Sequence, residues 1–198
     1  MAGRKSPAGR LIAIDGTRGR DVSDAAARLW RHRGRKTKGG GVSAWDASGT
    51  FSDLWTDKGI VGALSPRTLV LVFASDLAFR LRWQIRPALE QGQTVIATSY
   101  VETAAALAQA TGLSKKWVAE VFRFAPKADL TFRVKERKRS AGWKGAPLDG
   151  YLEFCAAVLE AASRGGDAAL RRKIIDSLDA LERRRGCRRL TKRATLDD

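Results

Sequence analysis

The chain is predicted to fold as a three-layer α/β/α domain around a parallel sheet, and three observations carry that expectation. Short β-branched runs alternate with helix-forming stretches, the pattern of successive βαβ units. The first run, Leu11-Ile12-Ala13-Ile14, feeds into a glycine-containing turn and then a helix, as strands do at the carboxyl edge of an open parallel sheet. With 198 residues, 44% of them hydrophobic, the chain can bury one sizeable core. One domain is expected over residues 10–186, between a basic arm (1–9) and a basic tail (187–198).

The elements follow in order. After the first strand, a helix is predicted from Ser23 to His32. The segment Arg31 to Gly41 is too basic and glycine-rich to extend it, and reads as a connector or an anion-binding loop. Val42-Ser43-Ala44-Trp45 suits a short strand, and Thr50 to Leu64 carries apolar residues at mostly helical spacing. Ser65-Pro66 reads as an N-cap with proline at the first helical position, opening a strongly apolar helix to about Trp83. Thr94-Val95-Ile96-Ala97 suits a central parallel strand. Helices are then expected over 101–111 and 114–122, and a strand over 129–134. A basic, lid-like loop occupies 135–147. Two helices, 148–163 and 167–185, precede a tail from Arg188 that reads as disordered.

The turn after the first strand is the most informative segment. A phosphate loop, G-x-x-x-x-G-K-[ST], needs glycines for close backbone approach and a lysine to meet the phosphates. Here Gly16, Thr17, Arg18, Gly19, Arg20 and Ser23 are the candidate phosphate- or nucleotide-binding residues. Asp21 and Val22, however, stand where the last glycine and the lysine belong. Gly16 and Gly19 equally suit a plain strand-to-helix turn. Exposed amides at a helix start and the two arginines favour an anion; Asp15 and Asp21 oppose it.

Charge is the second strong signal. The formal net charge is +16, distributed as +8 over residues 1–45, +1 over 46–130 and +7 over 131–198. An excess at the two ends favours a polyanionic partner, because each cation that meets a phosphate releases counterions; a solvated basic surface is the plainer reading. The candidate nucleic-acid contacts are Arg33, Arg35, Lys36, Lys38, Arg137, Lys138, Arg139, Arg184, Arg185, Arg188 and Arg189, with Trp143 placed to stack on a base. Cys155 and Cys187 match no metal spacing and are expected as free thiols in a cytoplasmic protein. No apolar run is long enough for a membrane span. His32 lacks ligand company and reads as solvated; Trp30, Trp55 and Trp83 occupy apolar helical positions and read as core.

Six fragments in register, Leu11 to Ser23, Leu64 to Thr68, Phe73 to Asp76, Ile85 to Leu89, Gly92 to Ala97 and Ala128 to Phe132, resemble thymidylate kinase over roughly residues 10–160. The resemblance implies a nucleoside-monophosphate-kinase-like fold of the phosphate-loop class. It implies a homodimer packed through the helix from Pro66 to Trp83, and ATP and magnesium as cofactors only if activity is retained. It places a substrate pocket at Phe73, Asp76, Arg80 and Tyr100, although Asp76 and Arg80 also suit an i,i+4 ion pair. The family's working residues are replaced. Its lysine falls on Val22, its Asp-Arg pair on Thr98 and Ser99, its monophosphate-gripping arginine on Leu77 and a further arginine on Trp45. Its Pro-Gly-Gly-Thr segment has become Ala47-Ser48-Gly49-Thr50.

Phosphoryl transfer relies on positioned cations that offset developing negative charge. The expectation is therefore a pseudoenzyme with no assignable catalytic or metal-ligating residue, binding a nucleotide, phosphate or polyanion. Two alternatives stay open: an active kinase whose cations have moved to Arg18, Arg20 or the loop from Arg133 to Lys144, and a non-specific DNA- or RNA-binding protein.

Overall fold

A computed structural model of the chain describes residues 9–16, 19–34, 39–56, 64–134 and 188–189. Its elements are β1 (Arg10–Gly16), α1 (Gly19–Gly34), β2 (Gly40–Ser43), α2 (Thr50–Thr56), α3 (Pro66–Arg80), a π-helical turn (Leu81–Ile85), α4 (Arg86–Glu90), β3 (Thr94–Thr98), α5 (Val101–Ala110), α6 (Lys115–Val121), β4 (Leu130–Val134) and β5 (Arg188–Arg189). The strands form one sheet in the order β2-β3-β1-β4-β5, every neighbouring pair parallel. This is the α/β architecture that the alternating pattern predicts.

Parallel strands are covered on both faces, so their side chains alternate between two cores. Leu11, Ala13, Val95 and Ala97 pack against α3, α5 and α6, with Phe51, Leu69, Phe73, Leu77 and Leu107 in the same cluster. Ile12, Ile14, Ile96 and Phe132 point the other way, onto Val22, Ala25, Ala26 and Leu29 of α1. Gly40 opens β2 with φ of 116°, and a Cβ there would lie 1.9 Å from the Thr94 carbonyl oxygen. Only glycine lets the edge strand pair so closely at that backbone angle.

Several local expectations shift. Helix α1 starts at Gly19, four residues before Ser23, because Val22 has a core to enter and helix formation follows it. Strand β2 lies over 40–43 instead of 42–45, since Gly40 and Gly41 pair with Thr94 and Val95. Helix α3 is capped as anticipated, with Ser65 Oγ accepting from Thr68 N at 3.1 Å. It does not end near Trp83, however; the chain stays helical to Glu90. The π turn makes this possible. The Arg86 N–H donates to Leu81 O, five residues back, and the widened turn carries the ladder into Pro87, which has no N–H of its own. Trp83 sits within that turn, where the 3.6-residue face no longer holds, and it is 64% exposed instead of joining the core. Trp30 does pack against the α1 core, and the side chain of Trp55 lies outside the described residues.

At the far edge, Arg188 and Arg189 pair with Phe132 and Arg133 of β4. The segment read as a disordered tail thus begins inside the sheet. The predicted loop at 135–147, the helices at 148–163 and 167–185, and both cysteines lie outside the described residues. Among the described residues, no helix is long and apolar enough to cross a membrane.

Candidate functional site

The carboxyl edge of β1 and β3 is the place to look, because ligands of open α/β sheets bind where the strand order reverses. Here β1 stands between β3 and β4, and the chain leaves β1 for α1 on one face and β3 for α5 on the other.

At β1, Gly16 is buried and a Cβ on it would meet Val22 Cγ2 at 2.7 Å and the Val134 carbonyl oxygen at 3.3 Å. Val22 is 1% exposed and belongs to the core between α1 and the sheet. The residue at the expected lysine position therefore points into packing, and an ammonium directed along the same path would meet Ile12, Ile14 and Phe132. Only residues 17 and 18 separate β1 from α1, and both lie outside the described residues. Gly19 opens the helix, Arg20 follows it, and Ser23 is exposed one turn further on. Asp21 places a carboxylate in the first turn of α1, where a negative charge interacts favourably with the helix dipole.

Asp15 is the second carboxylate of this edge. It is 2% exposed and caps α5: Oδ1 accepts from Tyr100 N at 2.8 Å and from Thr103 N at 3.1 Å, and the Thr103 hydroxyl donates to the same oxygen. Its Oδ2 has no hydrogen-bond partner among the described residues. Burial pushes the carboxyl up from 3.8 to about 6, with Glu102 adding repulsion, against the lowering effect of the Thr103 and Tyr100 donors.

That shift has a sign. The folded state takes up the Asp15 proton at higher pH than the unfolded state, so this contribution to stability is greatest below pH 3.8 and is lost as pH rises through about 6. An Asp15→Asn variant, which cannot ionise, should gain on the parent by up to about 3 kcal/mol between pH 4 and 7. Urea unfolding across that range reads the gap; a constant gap would contradict a raised Asp15.

A third carboxylate, Asp76, is fully buried on α3. Its Oδ2 accepts from Asp46 N at 3.0 Å, and its Oδ1 from Ser48 N at 3.1 Å and Ser48 Oγ at 3.0 Å. Arg80, one turn on and also fully buried, lies with Nε 3.0 Å from Asp76 Oδ2. Its Nη1 donates to Thr98 O at 2.9 Å and to Ser43 O at 3.4 Å, and its Nη2 to Ser99 O at 3.0 Å. Burial lowers the guanidinium's pKa, while Asp76 and Asp15 hold it up. The pair thus ties the loop after β2 to the loop after β3. Ser99 is held with φ of 48°, its N–H donating to Ile14 O at 2.8 Å.

Of the anticipated pocket residues, Asp76, Arg80 and Tyr100 converge on this edge and Phe73 lies deeper, among the α3 and α6 side chains. All four are buried. Tyr100 donates its hydroxyl to Pro126 O at 2.7 Å, and burial pushes the phenol's pKa upward. The side chain of Leu77 packs in the core, and Trp45 packs its ring against Phe51 at 5.0 Å. His32 is exposed on α1, as read from sequence. The i,i+4 spacing of Asp76 and Arg80 is legible in the sequence, but their links to residues 43–48 and 98–99 are not.

Of the nucleic-acid candidates, Arg33 lies in the last turn of α1 and Arg188 and Arg189 in β5, with only their backbones described. Arg35, Lys36, Lys38, Arg137, Lys138, Arg139, Trp143, Arg184 and Arg185 lie outside the described residues.

ATP and magnesium can be tested against these groups. Thr98 offers a hydroxyl that donates to Ser43 O at 3.5 Å, Ser99 is buried, and the described residues include no cluster of three or more acidic, histidine or cysteine side chains. Asp15 Oδ2 is the one unengaged carboxylate oxygen where β1 meets β3, and it is buried.

No family model matches the chain. It is 32% identical over 113 residues to a probable thymidylate kinase of Pyrobaculum aerophilum, covering 54% of this chain and 57% of that protein. It is 42% identical over 90 residues to one of Pyrococcus abyssi, covering 42% and 44%. Across 155 residues it is 28% identical to probable thymidylate kinase 2 of Saccharolobus solfataricus, covering 74% and 71%. The match thus spans about half the length of the first two relatives. Among solved structures, thymidylate kinase from Ehrlichia chaffeensis superposes with a TM-score of 0.65 at 14% identity, covering 97% of this chain and 91% of that one, a likeness of fold alone.

Proposed function

Because the chain is a thymidylate-kinase homologue in sequence, with a fold to match, we propose that it is a pseudoenzyme of that family. In this reading it is a cytoplasmic protein that keeps the nucleotide-kinase scaffold without phosphoryl transfer. One observation carries the reading: the anion-binding elements of the carboxyl edge already hold the chain's own carboxylates. Asp15 takes the amides at the start of α5, Asp76 takes those of the loop after β2, and Asp21 occupies the first turn of α1. Among the described residues the one fully buried cation, Arg80, is spent on Asp76 and on backbone carbonyls.

An incoming phosphate would meet negative charge where a kinase presents cations, so binding of nucleotides should be weak and turnover absent. Transfer from ATP to thymidine monophosphate in a coupled assay tests this, with a background rate expected. A rate that Arg18→Ala or Arg20→Ala abolishes would favour an active kinase with relocated cations.

We further propose a homodimer packed through α3. Its outer side carries Leu71, 51% exposed, and Phe79, 39% exposed, around the small residues Ser75 and Ala78, which let two helices approach closely. Light scattering should give about twice the 21.6 kDa chain mass. A monomer would contradict the pairing.

A further inference from the structure

Cations gather at the end of the sheet opposite the site. Because β1 and β2 point the same way, α1 must carry the chain back from the carboxyl end of β1 to the start of β2. Its 16 residues span about 24 Å, against about 23 Å for the 7 residues of β1. The last two turns of α1 therefore lie beside the first residues of the strand. Arg10 opens β1, is exposed, and alternates onto the same face as Ile12 and Ile14, which is the face α1 covers. On α1, Val22, Ala25, Ala26 and Leu29 pack on the sheet, so Arg28, Arg31 and His32 turn outward and are exposed. Arg10, Arg28 and Arg31 thus share one face at the amino edge. None of the three pairs with a carboxylate among the described residues, not even Arg28 with Asp24 one turn earlier, and Arg31 engages its Nε alone, on Ala27 O at 3.3 Å. Residues 25–45 contain six basic side chains and no acidic one, which supplies most of the +8 of residues 1–45. The helix dipole favours cations in the last turn alone and accounts for neither Arg28 nor Arg10. At the other end stand Asp15, Asp21 and Asp76, so the domain is polarised along its strands.

We propose that this amino edge, through Arg10, Arg28 and Arg31, binds the phosphate backbone of duplex DNA at a surface separate from the pocket. Charge complementarity selects the occupant. A duplex presents a negative charge about every 1.7 Å of its axis, and each phosphate met by an arginine releases counterions. None of the large exposed apolar side chains described belongs to β1 or α1, so the surface lacks the apolar centre of a protein–protein contact. A phosphate backbone needs no such centre. Contacts to phosphate carry no sequence information, so binding should be indifferent to sequence. The acidic carboxyl edge should steer the polyanion away from the pocket.

The test is fluorescence anisotropy of the full chain with a labelled DNA duplex of arbitrary sequence, from about 50 to about 200 mM salt. Arg10→Ala with Arg28→Ala and Arg31→Ala should reduce the salt slope by about 2.7, at about 0.9 for each duplex phosphate contact. Across that range the parent should then lose about fortyfold more affinity than this variant. Lys115→Ala with Lys116→Ala and Arg123→Ala removes the same charge from exposed positions on and after α6, which packs on the opposite face of the sheet, and should leave the slope unchanged. Circular dichroism confirms that both triple variants keep the parent's fold. The proposal is overturned if the parent does not bind at the lowest salt, if the amino-edge variant keeps the parent's slope, or if the two triple variants lower it equally. Polyglutamate binding as tightly as the duplex would also overturn it and assign the patch to an acidic protein.

Discussion

Arg80→Ala is expected to lower the unfolding free energy by about 3–5 kcal/mol, the range for removing one partner of a buried ion pair. The loss has two sources. The Asp76 carboxyl would be left fully buried without the guanidinium beside it, and the carbonyls of Ser43, Thr98 and Ser99 would lose their shared donor. Arg80→Lys keeps the charge but cannot serve Asp76 and three carbonyls at once, so an intermediate loss is expected. In Asp76→Ala with Arg80→Ala the loss should be smaller than the sum of the single changes, because the second change removes a group the first had already stranded. Urea unfolding of the parent, Arg80→Ala, Arg80→Lys, Asp76→Ala and the double variant measures this. A loss under about 1 kcal/mol for Arg80→Ala, the size of a surface pair, would mean that the two loops are held without it.

The strands were legible in the sequence because parallel strands covered on both faces must be apolar along their length, and Leu11 to Ile14 and Thr94 to Ala97 read that way. Ser65-Pro66 likewise announced its helix through local capping chemistry. What the sequence hid depends on distant partners. Val22 reads as a lost lysine, but its burial against Ile12, Ile14 and Phe132 requires the sheet to exist first, and that packing draws the start of α1 back to Gly19. The π turn, and with it the exposure of Trp83, breaks the periodicity from which a core position was inferred. In the site, the ion pair of Asp76 and Arg80 lies within one helical turn and was visible. The bonds from Arg80 to Thr98 and Ser43 span 18 and 37 residues, and no local pattern encodes them. Asp15 is legible as unfavourable to an anion, but its capping of Thr103, 88 residues away, has no local signature.

Phosphoryl transfer is where the largest effect is expected. Removing one preorganised electrostatic donor from an active site costs about a hundred- to a thousandfold in rate. The buried Val22 and the core side chain of Leu77 each stand where the resemblance places a phosphate cation. On the same resemblance Thr98 and Ser99 stand in place of an Asp-Arg pair, which would take away a carboxylate and a third cation. Even two such losses, taken together, should lower the rate about ten-thousandfold from the roughly 1–100 per second of working kinases. Restoring Val22→Lys alone should not recover it, since the new ammonium would enter an apolar core and Asp15, Asp21 and Asp76 would remain.

The most direct measurement is a coupled assay of the purified chain with ATP, magnesium and thymidine monophosphate, beside Arg18→Ala, Arg20→Ala and Asp15→Asn variants. All four proteins are expected to show the same background rate. Turnover near one per second in the parent, abolished by any of the three substitutions, would contradict it and assign the catalytic charges to the substituted residue.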